Sequence, residues 1–274
     1  MPYAEYLYGA TIVVLIAEII AGRHRGIYDR HTWLVTLGCV VASVVSRPAA
    51  ALLIAYVAAF ALPYWKGALS GAPLLWSFLA VFLITEFCFY WAHRWSHESK
   101  KGRHAWFWKL HRTHHSAKFL NVGVTVRINA FWSFVVPTSW VIGIATYLGL
   151  GKAAGLSLVV IYGWNLITHS DFRWDDTVRR HPVFGKAFRA LEHVLVSPGI
   201  HHTHHGYGKD GGNFRNYAVT LSLLDWIFGT LHIPEGRPWK YGIPGANPHW
   251  AEEILYPLVR VSETAPALAT AGGD

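Results

Sequence analysis

The chain has 274 residues, of which 53% are hydrophobic and 15% charged, and its mean hydropathy is +0.25. It is long enough for one large domain but too apolar for an ordinary soluble protein, and the composition excludes disorder, a coiled coil and collagen. Lys and Arg exceed Asp and Glu by eight (24 against 16). Because they lie beside apolar runs, they indicate the positive flanks of a membrane protein and not a nucleic-acid-binding surface.

Five apolar stretches occupy the first 168 residues, and about 20 apolar residues in a helix suffice to span a bilayer. We predict one spanning helix for each of the first, third, fourth and fifth. The second, of 31 residues, is interrupted by Arg47-Pro48, which fits either one kinked helix or a hairpin of two short helices. No cleavable signal peptide is expected, because the first residues lack a basic start. The stretches are Tyr6–Gly22, Trp33–Pro63, Leu74–Ala92, Phe131–Leu150 and Ala153–Thr168.

The order of spans and loops predicts the topology. Only Gly151-Lys152 separates the last two stretches, so they should form an antiparallel hairpin. Residues 93–127 carry eight Lys and Arg against one acid, Glu98, which indicates the cytoplasmic side. After Thr168 the chain becomes polar and reads as a cap folded against the spans, not as a second domain.

We therefore predict an all-α integral membrane protein, multi-pass, with four or more transmembrane helices and a cytoplasmic helical cap. The whole chain, 1–274, forms a single membrane domain. Its parts are N-terminal transmembrane helices (1–92), a segment with two histidine motifs (93–130), a transmembrane hairpin (131–168) and the cap with a third motif (169–274).

Histidine is the unusual residue, with 17 copies against one Met and two Cys. An HxxxH motif begins at His93, and HxxHH motifs begin at His111 and His201. On a helix, positions i, i+3 and i+4 share one face, so each motif can direct its rings to a common point. Neutral imidazole binds Fe, Zn, Cu and Ni, and eight imidazoles exceed what one ion uses, so two metals are implied. Both cysteines lie in apolar runs and suggest no chemistry.

Other histidines are interpreted differently, because a lone histidine is more often a hydrogen-bonded polar residue than a ligand. His202 should point off the ligand face by helical spacing, and the role of His104 stays open. The structural interpretation applies to His24, His31, His181, His232 and His249.

Further short motifs accompany the histidines. The first HxxxH lies within Glu86-Phe-Cys-Phe-Tyr-Trp-Ala-His93-Arg94, and His115-Ser116 is followed by Asn121 and Arg127. Ser197-Pro198 precedes the last HxxHH, and Asn216-Tyr217 and Asp225-Trp-Ile-Phe-Gly-Thr230 follow it. Together with the three histidine boxes, these motifs resemble the membrane-bound fatty acid hydroxylase and sterol desaturase superfamily over about half of the chain. Ala218 stands where many relatives have Gly, and Leu224 where an aromatic residue is common; these departures bear on substrate or packing.

The resemblance implies a non-haem centre of two iron ions, for which zinc could substitute, that activates O2 as co-substrate to hydroxylate or desaturate a lipid. Chemistry agrees, because no side-chain acid or base cleaves an unactivated C–H bond. The lipid, whether fatty acyl, sterol, ether lipid or carotenoid, would enter between the spans. With no flavin or dinucleotide fingerprint, we expect a separate electron donor, such as a reductase with a ferredoxin or cytochrome, at the cytoplasmic face.

The predicted metal ligands comprise the eight histidines of the boxes and two others. His169 resembles a position where relatives supply an additional ligand, and His193 lies eight residues before the third box. Three aspartates, Asp171, Asp175 and Asp225, either accept ring N–H groups or cap helices. The full ligand set is His93, His97, His111, His114, His115, His169, His193, His201, His204 and His205.

Two other functions fit part of the pattern. A histidine-rich membrane metal-ion transporter would use intramembrane ionisable groups, but transporters bind their ions near the bilayer midplane, whereas these boxes follow the spans. A zinc hydrolase is disfavoured because the boxes contain no paired carboxylate base.

Overall fold

The computed structural model describes residues 4–212 and 214–261, so the last residues of the predicted cap, 262–274, lie outside the described part. Within it the fold is mostly helical, with one two-stranded antiparallel sheet in which Gly206 pairs with Tyr241. A 3-10 helix covers Val122–Val126. The α-helices and strands are α1 (Ala4–Ile20), α2 (Arg30–Ala61), α3 (Leu74–Glu98), α4 (Ala105–His115), α5 (Trp132–Val135), α6 (Pro137–Tyr147), α7 (Gly151–His169), α8 (Trp174–Arg180), α9 (Gly185–Leu191), α10 (Pro198–His205), β1 (Gly206–Tyr207), α11 (Leu223–Ile227), β2 (Lys240–Tyr241) and α12 (Trp250–Leu255).

The second apolar stretch forms one helix, α2, and not a hairpin. Asp29 begins it by accepting a hydrogen bond from the Thr32 backbone N–H at 2.7 Å, and Pro48 lies inside it. At 1.5 Å per residue, α2 is about 48 Å long. Because this exceeds the roughly 30 Å of a hydrocarbon core, the helix must tilt or extend beyond it if it crosses a bilayer.

Two helices of the described residues, α2 and α3, are long and apolar enough to cross a membrane, and α1 contains a shorter apolar segment, Gly9–Ile20. The apolar side chains of these helices point outward: Val13, Val44 and Leu83 are 66%, 70% and 51% exposed. A soluble protein rarely exposes so continuous an apolar surface, because water does not solvate it favourably. Lipid is the environment that this surface fits.

The fourth apolar stretch is not the single helix that its hydropathy predicts. The chain is extended at Val136, between α5 and α6, because Pro137 has no backbone N–H and restricts the preceding residue. The prediction of one continuous helix over Phe131–Leu150 is therefore wrong. The 11 residues of α6 extend only about 16 Å.

The long helices share the two ends of one bundle. At one end, α1, α3 and α7 finish and α2 begins; there Glu18 of α1 accepts the Asp171 N–H that follows α7, at 2.7 Å. At the other end, the Gly67 N–H donates to the Tyr147 carbonyl at 3.0 Å, and Gly149 turns the chain with φ +97°. The first end carries all three histidine motifs.

Candidate metal centre

Four helices bring the histidines together. The first motif occupies the last turns of α3, the second ends α4, His169 ends α7, and the third motif fills α10. Two side chains cap the start of α10. Ser197 accepts a hydrogen bond from the Ile200 N–H at 3.3 Å, and Asp175 accepts one from the Gly199 N–H at 2.7 Å. Pro198 suits the first helical position. The rings are thus carried by helix ends, whose positions are set by packing and caps.

Nine imidazoles form two groups, within each of which the candidate ligand atoms lie no more than 4.8 Å apart. Eight of the nine side chains are buried and His114 is partly exposed. Nε2 atoms meet at 3.0 Å between His93 and His204, and at 3.1 Å between His114 and His169. We call the two sets group A, which is His93, His97, His111, His115 and His204, and group B, which is His114, His169, His201 and His205.

Each HxxHH motif contributes to both groups. In α4, the i, i+4 pair His111 and His115 belongs to group A and His114 to group B; in α10, the pair His201 and His205 belongs to group B and His204 to group A. The rings of His115 and His205 stack with centroids 4.3 Å apart. Each HxxHH motif therefore places two rings in one group and one ring in the other. The stacked rings of His115 and His205 bring the two groups into direct contact.

Backbone carbonyls orient three of the rings. The Nδ1 atoms of His93, His169 and His204 lie 2.6, 2.8 and 2.8 Å from carbonyl oxygens of Tyr217, Asn165 and Arg215. A ring that donates its Nδ1–H leaves the Nε2 lone pair for a metal. In all three, Nε2 faces its group.

The predicted ring-orienting aspartates act one step further out. Asp225 accepts the N–H groups of Tyr217 and Ala218 at 2.7 and 2.9 Å, and so holds the loop whose carbonyl orients His93. Asp175 caps α10, as the alternative interpretation stated, while Asp171 lies 3.9 to 4.0 Å from two arginines. Of the two interpretations of these aspartates, ring orientation is not seen among the described residues: the rings of His93, His169 and His204 bond backbone carbonyls instead.

The donor set is compatible with metal binding. Burial lowers the pKa of His111, His115 and His201 well below the usual value, so these imidazoles are neutral, as ligands must be. Within group A, Nε2 atoms of neutral rings face each other at 3.1 Å between His97 and His115 and at 3.0 Å between His111 and His115, and a shared cation would satisfy these facing lone pairs. Nε2 of His205 is buried without a hydrogen-bond partner, and such atoms are rare unless something else satisfies them. Nitrogen ligands without carboxylates suit iron, zinc and related ions.

The tenth predicted ligand, His193, lies outside both groups. Its Nδ1 is 2.8 Å from the Arg189 carbonyl oxygen, and its ring packs on Trp226 with centroids 5.0 Å apart. The residue follows the end of α9, where the turn directs the ring away from the centre. We leave His193 out of the proposed ligand set.

Other histidines have local partners. His202 points off the ligand face, with its ring nitrogens 2.8 Å from the Tyr241 hydroxyl and 3.1 Å from the Ser170 carbonyl oxygen. His104 accepts from Arg103 at 2.9 Å, and His249 caps α12. None of the three belongs to group A or group B.

A cavity of about 120 Å³ adjoins both groups on the side of the long helices. His93, His111, His114 and His201 line one part of it. The remainder is largely apolar, with polar and charged side chains between, and includes Arg47, Glu86, Phe89, Trp132, Val136, Ile161 and Asn165. The cavity thus connects the imidazoles to the space between the helices.

The model of the fatty acid hydroxylase family matches residues 78–230, more than half of the chain. The chain belongs to the fatty acid hydroxylase family. This confirms the resemblance that the histidine boxes and their flanking motifs indicate.

Several curated members of this family are similar to the chain. Alkylglycerol monooxygenase of Danio rerio is 28% identical over 187 residues, covering 66% of this chain and 36% of the relative, and the Homo sapiens protein of that name is 28% identical over 173 residues, covering 61% and 33%. Methylsterol monooxygenase 1-1 of Arabidopsis thaliana is 30% identical over 176 residues, covering 59% and 50%. The chain therefore spans between a third and a half of these relatives. No solved structure matches it significantly.

Two acidic residues near the centre, Glu18 and Glu253, lie outside the span matched by the fatty acid hydroxylase model and outside the sequence motifs. Glu18 accepts the Val122 N–H at 3.1 Å as well as the Asp171 N–H; a lone carboxylate in an apolar stretch is the signal that could have identified it. Glu253 of α12 bonds Ser116, next to the second box. Nothing in the pattern of its Gly- and Pro-rich surroundings indicates that contact.

Proposed function

We propose that this protein is an integral membrane di-iron hydroxylase that uses O2 and electrons from a separate donor to oxidise a C–H bond of a lipid. One observation carries the proposal: two adjoining imidazole groups lie at the ends of apolar helices and border a cavity between those helices. The names of the relatives, alkylglycerol and methylsterol monooxygenases, support a lipid substrate.

In this proposal, groups A and B each hold one iron ion. When bound, the irons would supply the O2-derived oxidant that C–H cleavage requires and that no side chain provides. The chain's own contribution is orientation, because the carbonyls of Tyr217, Asn165 and Arg215 hold His93, His169 and His204 with Nε2 inward. Preorganised ligands hold the reacting centre at a fixed distance from the substrate.

The cavity is the proposed lipid site. Phe89, Val136 and Ile161 offer apolar contacts to an alkyl or ring portion of the substrate, and burying those contacts excludes water from the reacting carbon. Asn165 lines the same cavity and fixes His169 through its carbonyl. A lipid reaching this position from the bilayer would present a C–H bond beside both groups.

The overall function is tested on purified protein. We expect about two irons per chain, the number that two nitrogen-donor sites require, and O2 uptake that depends on added reductant. Lipid supplied with isotopically labelled O2 should gain one labelled oxygen atom. Metal flux into vesicles, with no oxidised lipid under any reductant, would contradict the proposal and favour a transporter.

We further propose that α1, α2, α3 and the α6–α7 pair cross the membrane, with the histidine boxes at the cytoplasmic face. The basic residues near the boxes support this orientation. In intact cells, a membrane-impermeant maleimide should label Lys66→Cys and Lys152→Cys at the far end of the bundle. It should label Arg103→Cys and Lys186→Cys only after permeabilisation. Labelling of all four in intact cells would contradict the orientation.

Filling the cavity should block turnover without removing metal. Ile161 is 6% exposed and lines the cavity, so Ile161→Trp should lower kcat/KM for the lipid by at least about tenfold, the effect of 1.4 kcal/mol. Iron content should stay at the wild-type value, because residue 161 belongs to neither group. The matched control is Ile84→Trp, at a position 52% exposed on the outside of α3. Equal activity of the two variants would place the substrate elsewhere.

A further inference from the structure

A second recess lies on the side of the centre away from the long helices. Its lining includes Lys100, Trp108, Gly206, Tyr207, Phe214 and Ile243, and it shares no lining residue with the lipid cavity. Gly206 directly follows His205 of group B. The imidazole centre is therefore approached from two separate directions, one between the long helices and one from the polar loops.

Trp108 links this recess to group A. Its side chain is 8% exposed, and its ring centroid lies 5.0 Å from that of His97 and 5.8 Å from that of His115. On the other side, the Lys100 ammonium lies 4.3 Å from the Trp108 ring and 4.0 Å from the Phe214 ring. An aromatic ring that contacts both the recess and two proposed ligands provides a short through-space path for an electron into the centre.

The rim of the recess is positively charged. Lys209 follows the lining residue Gly208, Lys240 pairs with Tyr207 across the small sheet, and the Lys118 ammonium donates to the Ile243 carbonyl. In the described part of the chain, no carboxylate lies within 4.0 Å of the Lys118, Lys209 or Lys240 ammonium groups. Asp210 is the neighbouring acid in sequence. Such unneutralised clusters steer oppositely charged partners by long-range attraction.

We propose that this recess and its lysine rim are the docking surface for an acidic one-electron carrier protein. The inference rests on the proposed function: converting R–H and O2 to R–OH and water consumes two electrons and two protons, so a one-electron carrier must deliver twice per turnover. The chain carries no fingerprint for a bound flavin or nicotinamide. Lys118, Lys209 and Lys240 neighbour lining residues and do not line the recess themselves, whereas Lys100 does. This spread of charge suits an extended protein surface better than a small reductant.

The test measures binding of reduced and oxidised plant-type [2Fe–2S] ferredoxin, an acidic carrier, to the detergent-solubilised protein. The charge-reversal variant combines Lys209→Glu with Lys240→Glu. Its matched control combines Lys152→Glu with Lys186→Glu, two exposed lysines away from the recess with the same change in net charge. Horse cytochrome c, a basic carrier of similar size, serves as the partner control.

We expect wild type and the matched control to bind ferredoxin at low ionic strength and to release it with added salt. The Lys209/Lys240 variant should bind at least about tenfold more weakly, as expected when rim charges that steer association are reversed. Reduction of the metal centre by dithionite should be equal in all three proteins. Cytochrome c should not bind wild type.

Three results would overturn the proposal: unchanged ferredoxin affinity in the Lys209/Lys240 variant, an equal loss in the matched control, or no ferredoxin binding by wild type while NADPH alone supports turnover. The last would indicate a small reductant. The binding measurement contains no lipid, so its result does not depend on whether the protein oxidises a lipid. A protein that binds ferredoxin through this rim but oxidises no lipid with dithionite would contradict only the function.

Discussion

Replacing His114 with alanine should remove metal from group B and abolish lipid oxidation while the protein remains inserted in the membrane. Group B has four imidazoles against five in group A, so it has the fewest ligands to lose. The loss of a partner that only orients a ligand already costs about 10- to 100-fold in metal affinity. Removing a ligand itself should exceed that range.

The measurement is iron per chain together with turnover of the same preparation. We expect about half of the wild-type iron and no detectable product, with unchanged elution on size exclusion. The matched control is His181→Ala, because His181 is exposed and bonds only local backbone N–H groups. Full iron content or full activity in His114→Ala would contradict the assignment of group B.

The sequence predicts most ligands of groups A and B, but not how the rings divide between the two groups. The i, i+3 and i+4 offsets place each box on one helix face, and nine of the ten predicted ligands do meet in the two groups. The offsets do not say which group each ring joins. That division follows from how α4 and α10 approach each other, with His115 stacked on His205, and such tertiary packing has no signature in a single sequence.

The two misjudged positions have local causes. Hydropathy treats Phe131–Leu150 as uniform, whereas Pro137 dictates the backbone at Val136 and divides the stretch. His193 lies eight residues before the third box, and this proximity along the chain is what predicts a ligand there. It lies two residues beyond α9, however, and the turn there points its ring at Trp226. In both cases the local backbone conformation determines the outcome: it ends the helix at Val136, and it turns the His193 ring away from the centre.

The buried network around α12 leads to the second large expected effect. Arg127 and Glu253 are 1% and 0% exposed and lie 3.6 Å apart, and both bond the Ser116 hydroxyl. The Glu253 carbonyl also accepts from the Thr113 hydroxyl at 2.6 Å, inside the second box. The C-terminal helix therefore holds α4 at both sides of His114 and His115, although it lies beyond the residues that the family model matches.

Glu253→Gln keeps the size of the side chain and removes its charge, which leaves the Arg127 guanidinium buried without its counter-ion. Breaking a buried pair from one side costs about 3 to 5 kcal/mol in the free energy of unfolding. We expect a markedly lower midpoint of thermal unfolding in detergent. We also expect a loss of iron, because Arg127, which donates to Ser116 at the end of α4, must shift to hydrate its uncompensated charge. The control, Glu235→Gln, disrupts the exposed pair with Arg189 and should change stability by less than about 1 kcal/mol.

The double variant Arg127→Gln with Glu253→Gln separates the charge from the hydrogen bonds. Neutral partners leave no uncompensated charge, so the double variant should unfold at a higher temperature than Glu253→Gln alone, which gives a favourable coupling in a double-mutant cycle. If the two substitutions are additive, Arg127 and Glu253 do not act as a pair. If Glu253→Gln keeps both the wild-type midpoint and the wild-type iron content, α12 does not hold the second box, and the metal centre is positioned by α3, α4, α7 and α10 alone.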